Sequence, residues 1–325
     1  MFDSAITISL ELLSLVAGVD EFKGRWEALG QLVPSRLQAL QRIAAIEAVA
    51  AAARMKGTLC SDRQIGEFIS GSSPGPFSRQ EQELINGYYL VRKLINESYG
   101  QISFIGSHVR QMHELLMNRG EFVSGEDQDP GLPKKLTDLI EQTRELLAEG
   151  RVHPLLVVAD FSCRFRHLRP FRHGNVFMTW LLIQLLMLRG GYLFTGFGSI
   201  ERFLEKSVSS YQEKVFVVED GEVVTSANPE SWLVMFLEAM LAMSENIVAK
   251  INREKQFLKL SPALLAIVRM VQENGQANIA QIIAATGMNR NTLKVRLRKL
   301  VAEKHLVQRG RGKATFYLLP ELHLQ

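Results

Sequence analysis

Apolar residues recur at helical spacing along almost the whole chain and strand signals are scarce, which restricts the fold to a mainly α-helical one. From Phe2 to about Glu97 the spacing is helical, and the stretch Ser35 to Met55 is rich in Ala, Leu, Gln and Arg, all good helix formers. Gly, Ser and Pro crowd Gly71 to Pro76 and break this region, after which Ser78 to Gln82 reads as an N-cap followed by charged first-turn residues. The pattern predicts further helices over about 101–118, 136–149, 154–168, 175–188 and 229–259. Arg119 to Pro133 is dense in turn formers and reads as an exposed loop or short hairpin. The clearest strand signal is Lys214 to Thr225 (KVFVVEDGEVVT), two β-branched stretches around Asp220-Gly221. A hairpin of this kind more often connects elements than acts.

With 325 residues, 46% of them apolar and 22% charged, the chain can bury a real core over two or three domains, which excludes wholesale disorder. Cys60 and Cys163 are its only cysteines, too few for a disulfide scaffold or a four-cysteine zinc site, and they point to a reducing, cytoplasmic setting. The N-terminal apolar stretch carries Asp3 and Glu11 and no basic run, unlike a secretory signal. The run Trp180 to Phe194 is interrupted by Gln184 and Arg189 and falls short of the ~20 apolar residues a bilayer requires. No membrane partner and no metal site are expected.

Charge is unevenly distributed. Between Asn289 and Lys313 nine cations face the single anion Glu303, a local +8, so a net charge of +4 leaves −4 for the rest of the chain. A local cationic face of this kind displaces counterions from phosphate, and it suggests nucleic-acid contact. The surrounding pattern fits a winged helix. Ser261-Pro262 starts a helix that Asn274-Gly275 stops, and Ala277 to Thr286 makes a second. Gly287-Met288 gives the turn, and Asn289 to Lys304 forms a third helix with Leu293, Leu297, Leu300 and Val301 on its apolar face. Leu306 to Gln308, a basic turn at Arg309 to Lys313, and Ala314 to Leu319 read as a β-hairpin wing. In such a module the third helix enters the major groove and the wing reaches phosphates. The DNA-binding candidates are therefore Asn289, Arg290, Asn291 and Lys294 in the leading turns, Arg296 and Arg298 farther along, and Arg309, Arg311 and Lys313 on the wing. The alternative is a solvated basic face on a module used for protein contacts.

The middle of the chain, Phe165 to Trp180, reads FRHLRPFRHGNVFMTW. It resembles the Fic family signature H-P-F-x-[DE]-G-N-G-R, matching it at Pro170, Phe171, Gly174 and Asn175. The upstream stretch His153 to Leu168 resembles the helix leading into that loop, and Trp232 to Leu237 resembles the family's later tryptophan and aromatic segment. Ala48 to Thr58 (AVAAAARMKGT) resembles the autoinhibitory helix, whose pattern is serine, three residues, glutamate, glycine. The resemblance implies a fold in which AMP passes from ATP to a hydroxyl side chain. In that chemistry a histidine is the base, an acidic residue holds Mg²⁺, Gly-Asn-Gly amides cradle phosphate and an arginine pairs with it.

The departures fall on every one of those roles. Arg169 stands at the base position, and its guanidinium cannot accept a proton at any usable pH. His173 stands where a hard cation wants carboxylate oxygen. Val176 replaces the second glycine, Phe177 the phosphate arginine, and Trp180 the next basic place. The inhibitory motif is lost as well, with Ala52 at the serine and Lys56 at the glutamate that would pair with the motif arginine. A shifted loop could bring His167 or His173 to a substrate hydroxyl. Arg169, Arg172, Gly174 and Asn175 together form an anion-binding candidate, since guanidinium groups beside a helix start favour phosphate or carboxylate.

The expected fold is mainly α, a Fic-like helical core with small β-hairpins followed by a C-terminal α+β winged helix. Its expected divisions are a helical region 1–100 with the degenerate inhibitory helix, a Fic-like core 101–255 and a winged helix-turn-helix 256–325. The expected function is a cytoplasmic, homodimeric transcriptional regulator of double-stranded DNA, built on a catalytically inactive Fic-like domain that dimerises or senses an anionic ligand or protein partner. No cofactor is expected for it. The alternative is a protein adenylyltransferase with a rearranged site, for which ATP and Mg²⁺ would be needed.

Overall fold

The structure is a computed structural model that describes residues 9–29, 34–117, 131–205, 216–219, 222–225, 229–257, 259–312 and 315–320. The chain forms two compact units, Met1–Ile247 and Val248–Gln325. The division expected near residue 100 falls inside the first unit, and the one expected near 256 lies slightly beyond the observed division.

The first unit is helical: α1 (Leu10–Leu29), α2 (Pro34–Met55), α3 (Asp62–Ile69), α4 (Arg79–Ser98), α5 (Gly106–Met117), α6 (Leu132–Glu149), α7 (Pro154–Leu168) and α8 (Asn175–Arg189). Local chemistry sets several starts. Ser61 with Gln64 and Ser78 with Glu81 form reciprocal capping boxes, each satisfying two backbone amides that a helix would otherwise leave unpaired. Helix α8 is apolar on every side, and it accordingly lies at the centre, packed by α4, α5, α7 and a 3₁₀ segment, Leu193–Phe197, that the apolar spacing alone does not predict. Helix α2 packs closely on α3, α4 and the 3₁₀ segment through small side chains, with Ala44, Ala48 and Ala50 to Ala53 all buried. Gly87 plays the same part in α4: a Cβ there would stand 2.0 Å from the Leu116 carbonyl oxygen of α5.

Polar groups also enter this core. Arg92 of α4 and Glu201 are both fully buried and form an ion pair, Nη1 to Oε1 at 2.9 Å. Tyr88 donates its hydroxyl to the same carboxylate oxygen at 2.7 Å, Ser199 donates to the other at 2.9 Å, and Arg92 Nη2 donates to the Gly198 carbonyl at 2.6 Å. Burial foremost, with the Glu201 charge behind it, raises the Tyr88 pKa well above that of an ordinary phenol.

Strands β1 (Phe216–Glu219) and β2 (Glu222–Thr225) pair antiparallel, with Glu219 opposite Glu222, as the β-branched pattern predicts. Residues 220–221 between them, and 119–130 of the turn-rich insert, lie outside the described residues. The end of that insert differs from expectation: α6 begins at Leu132 with Pro133 in its first turn, where a missing amide proton costs nothing. Helix α9 (Pro229–Phe257) is, among the described residues, the one long and apolar enough by composition to cross a membrane. In its most apolar window 61% of residues are buried inside the protein, the pattern of a core helix.

The second unit contains α10 (Pro262–Glu273), β3 (Gln276–Asn278), α11 (Ile279–Thr286), α12 (Arg290–Ala302), β4 (Val307–Arg309) and β5 (Phe316–Leu318). Its sheet has the order β3-β5-β4, both pairings antiparallel. Leu264, Ile267, Val268 and Val271 meet Ile282, Leu293, Leu297, Leu300, Leu306 and Tyr317 in one core. Strand β3 corrects the expectation that the second helix begins at Ala277. Asn278 caps that helix with Gln281, and the three residues before it are drawn into the sheet by β5.

Replacing Glu201 with Gln strips the Arg92 guanidinium of its buried counter-charge and is expected to cost roughly 3–5 kcal/mol in urea unfolding. The double change Arg92→Met with Glu201→Leu should cost clearly less than the two single changes summed.

Candidate functional site

Helices α7 and α8 are joined by the loop that carries the Fic-like sequence. His153 caps α7 and Pro154 opens it, and Arg169 closes it in the left-handed conformation, φ 45°, donating its amide to the Phe165 carbonyl. Pro170 then prevents helix from continuing. The loop is held by its own asparagine. Asn175 Oδ1 accepts from the Phe171 amide at 3.0 Å, and Nδ2 donates to the Phe171 carbonyl at 2.6 Å. Both ends of the side-chain amide are thus used inside the loop.

Helix α5 covers this loop. The His113 ring stacks on Phe171 with centroids 3.8 Å apart and planes 4° from parallel, and its Nε2 donates to the His173 carbonyl at 2.8 Å. Burial foremost lowers the His113 pKa; the bond to His173 and the nearby Glu114 act against that shift, and the His173 charge adds to it. Gly174 adopts φ 79°, and a Cβ there would stand 2.8 Å from Met117 Sδ. The start of α8 is therefore roofed by His113 and Met117.

The sequence-selected positions separate sharply. Arg172 and His173 are exposed, Arg169 and Val176 are half-buried, and Phe177 is buried with its ring edge-on to Tyr88 at 6.0 Å. The position at which the resemblance implies an arginine is thus part of the core. Trp180 is also buried, 5.9 Å from Trp232, with the Arg166 guanidinium over both rings at 5.4 and 5.9 Å. Trp232 Nε1 donates to the Ala159 carbonyl and to Ser162, tying the later aromatic segment to α7. His167 is exposed, with Nδ1 donating to the Cys163 carbonyl one turn back. Among the described residues, no group of three or more His, Cys, Asp or Glu is placed to hold a metal ion.

In helix α2, which ends in the stretch read above by resemblance, Ala52 is buried and Lys56 is exposed just beyond the helix end. That end is fixed by Arg54, which the sequence reading did not select. Its guanidinium reaches Glu205 at 2.6 and 2.8 Å and Asp62 at 2.9 Å, while Arg202 bridges Asp62 at 3.0 Å and Glu47 at 3.2 Å. No local signal marks such a network, because its members are brought together by folding.

In the second unit, Asn289 is the N-cap of α12, its Oδ1 accepting from the Thr292 amide at 2.8 Å. Leu293, Leu297 and Leu300 bury one face. Arg290, Asn291, Lys294 and Arg298 are exposed, as are Arg309 and Arg311 at the wing; Lys313 lies outside the described residues. Arg296 differs from its neighbours: it is half-buried and its Nη1 reaches Met288 Sδ at 3.0 Å, bracing the turn. Arg298 lies close enough to Tyr317 of β5 to oppose the rise that burial imposes on that phenol's pKa. The sequence reading missed Val295, which is 65% exposed on this cationic helix.

Comparison with known proteins agrees with this architecture. A family model described as winged helix-turn-helix DNA-binding matches residues 260–303. A Fic family protein from Desulfovibrio desulfuricans G20 is similar over 100% of both chains, at a TM-score of 0.60 and 18% identity. A Fic domain containing signaling protein from Bacteroides thetaiotaomicron VPI-5482 matches 72% of this chain and 98% of its own, at a TM-score of 0.56 and 14% identity. Fic-1 from C. elegans matches 73% of this chain and 72% of its own, at a TM-score of 0.57 and 14% identity. No curated protein matches the sequence. The protein thus has a Fic-like helical fold and a C-terminal winged helix-turn-helix domain.

The His113 environment gives a pH signature. Its folded pKa lies below the ordinary imidazole value of about 6.5, so the unfolded chain binds the proton first as pH falls. Stability of the first unit is expected to drop from about pH 6.5 downward and to level off below the depressed folded value. Urea midpoints taken across that range should show this component in the native protein and lose it in His113→Gln, whose amide can still donate to the His173 carbonyl.

Proposed function

We propose that the protein is a DNA-binding transcriptional regulator in which a Fic-fold core without transferase chemistry serves dimerisation or the sensing of a ligand or partner. The observation that carries this reading is the cationic surface of α12, where Asn291 and Arg298 stand exposed opposite the buried leucines, Lys294 is exposed at their flank and Arg290 in the first turn, with Arg309 and Arg311 on the wing. Cations so arranged meet phosphate, and a helix of this kind presents side chains to base edges. A regulator of this type is a cytoplasmic homodimer, because two-fold operators match two-fold readers.

The loop supports the other half of the proposal. An Mg²⁺-bound nucleotide does not fit the residues present: an exposed imidazole stands at 173 in place of a carboxylate, a buried ring at 177 in place of a cation, and Met117 over Gly174. An anionic ligand at this loop would be met by Arg169 and Arg172, since the Asn175 amide is engaged within it.

Two measurements test these halves. Retardation of the DNA upstream of the protein's own gene should weaken steeply with salt, and Arg290→Ala or Lys294→Ala should each lower the log–log salt slope by about one. Absence of retardation at low salt rejects the reading. Incubation with labelled ATP and Mg²⁺ should label neither the protein nor candidate targets; incorporation abolished by Arg169→Ala or His167→Ala would establish a transferase instead.

A further inference from the structure

Helix α12 presents Asn291, Val295 and Arg298 in succession along its outward face, at the spacing of four and three residues that stacks side chains one turn above another. All three are exposed, and the buried Leu293, Leu297 and Leu300 lie on the opposite side. Val295 sits on this stripe with 65% of its surface exposed, and Lys294 is exposed beside it. A β-branched residue at a solvent-facing helix position has neither high helix propensity nor packing to explain it. Every other large hydrophobic of α12 turns inward, so this one isopropyl group stands apart on a face otherwise suited to nucleic acid.

We propose that Val295 reads a thymine through its C5-methyl group in the major groove, with Asn291 reading an adenine nearby; this rests on the DNA-binding function proposed above. The chemistry of the groove supports the assignment. Thymine is the one unmodified base that presents a methyl group there, and an asparagine amide matches the adenine N6 and N7 pair. Asn291 and Val295 are about 6 Å apart along the helix axis, which corresponds to roughly two base-pair steps of about 3.4 Å. Lys294 and Arg298 flank the valine and supply phosphate or guanine contacts that hold the helix in register. A solvated valine among these cations gains nothing until a methyl group covers it, so its contribution goes to selectivity more than to general affinity.

The test uses the full-length protein and a pool of duplexes with a random 20-base-pair centre, carried through repeated selection at moderate salt. Each thymine of the selected sites is then replaced singly by uracil, which keeps pairing and removes only the methyl. At one thymine per half-site the native protein is expected to bind the uracil duplex about fourfold more weakly, the worth of one buried methyl group. In Val295→Ala that penalty should shrink toward onefold, while uracil at other positions behaves alike in both proteins. If the native protein selects sites but no uracil replacement weakens it, or if the penalty persists in Val295→Ala, the role of Val295 is overturned. If no duplex is retained at all, the DNA-binding function itself falls, an outcome distinct from the first.

Discussion

The first unit depends on an ion pair sealed from water. Arg92 and Glu201 are both fully buried, and transferring either alone into such a core would cost several kcal/mol, so each makes the other tolerable. The pair also collects neighbours: Tyr88 and Ser199 complete the carboxylate, and the Gly198 carbonyl takes a second guanidinium nitrogen. Among the described residues Arg92 Nε finds no hydrogen-bond partner, so this polar centre is not fully satisfied by them. Charges confined in this way allow few alternative packings of α4 against the chain after the 3₁₀ segment.

The same cluster reaches the Fic-like loop. Tyr88, bonded to Glu201, is the residue against which Phe177 packs. A cation at 177 would be pressed against this apolar and hydrogen-bonded core, whereas a phenyl ring completes it. On the other side of the loop, His113 stacks on Phe171 and reaches the His173 carbonyl, and Asn175 closes the turn upon itself. The loop is thus a buttressed turn, with the Asn175 amide and the Phe171 and His173 carbonyls engaged within it or by α5.

Much of this is legible in the amino-acid sequence. Helix α7 begins at Pro154 and ends at Leu168 as its apolar spacing and flanking prolines predict, and α8 begins at Asn175. Ser78 caps α4, and Gly287 ends α11 in the left-handed conformation. These features were readable because period, cap and turn chemistry act within a few residues. The cation count of the last helix and wing was equally plain, although it could not separate Arg296, which braces the turn, from Arg298, which stays exposed. Asn289, one of the DNA-binding candidates, also caps the helix through its side-chain oxygen.

The sequence by itself determined the mainly helical class, the winged helix and the positions at which the chain departs from the Fic signature it resembles. Only the tertiary structure decided where particular residues went: Phe177 into the core, His113 and Met117 over the loop, β3 into the sheet, and Val295 out to solvent. The physical reason is range. A cap or an apolar period is settled between residues three or four apart, but Arg92 finds Glu201 across 109 positions of chain, and no local pattern encodes a partner at that distance.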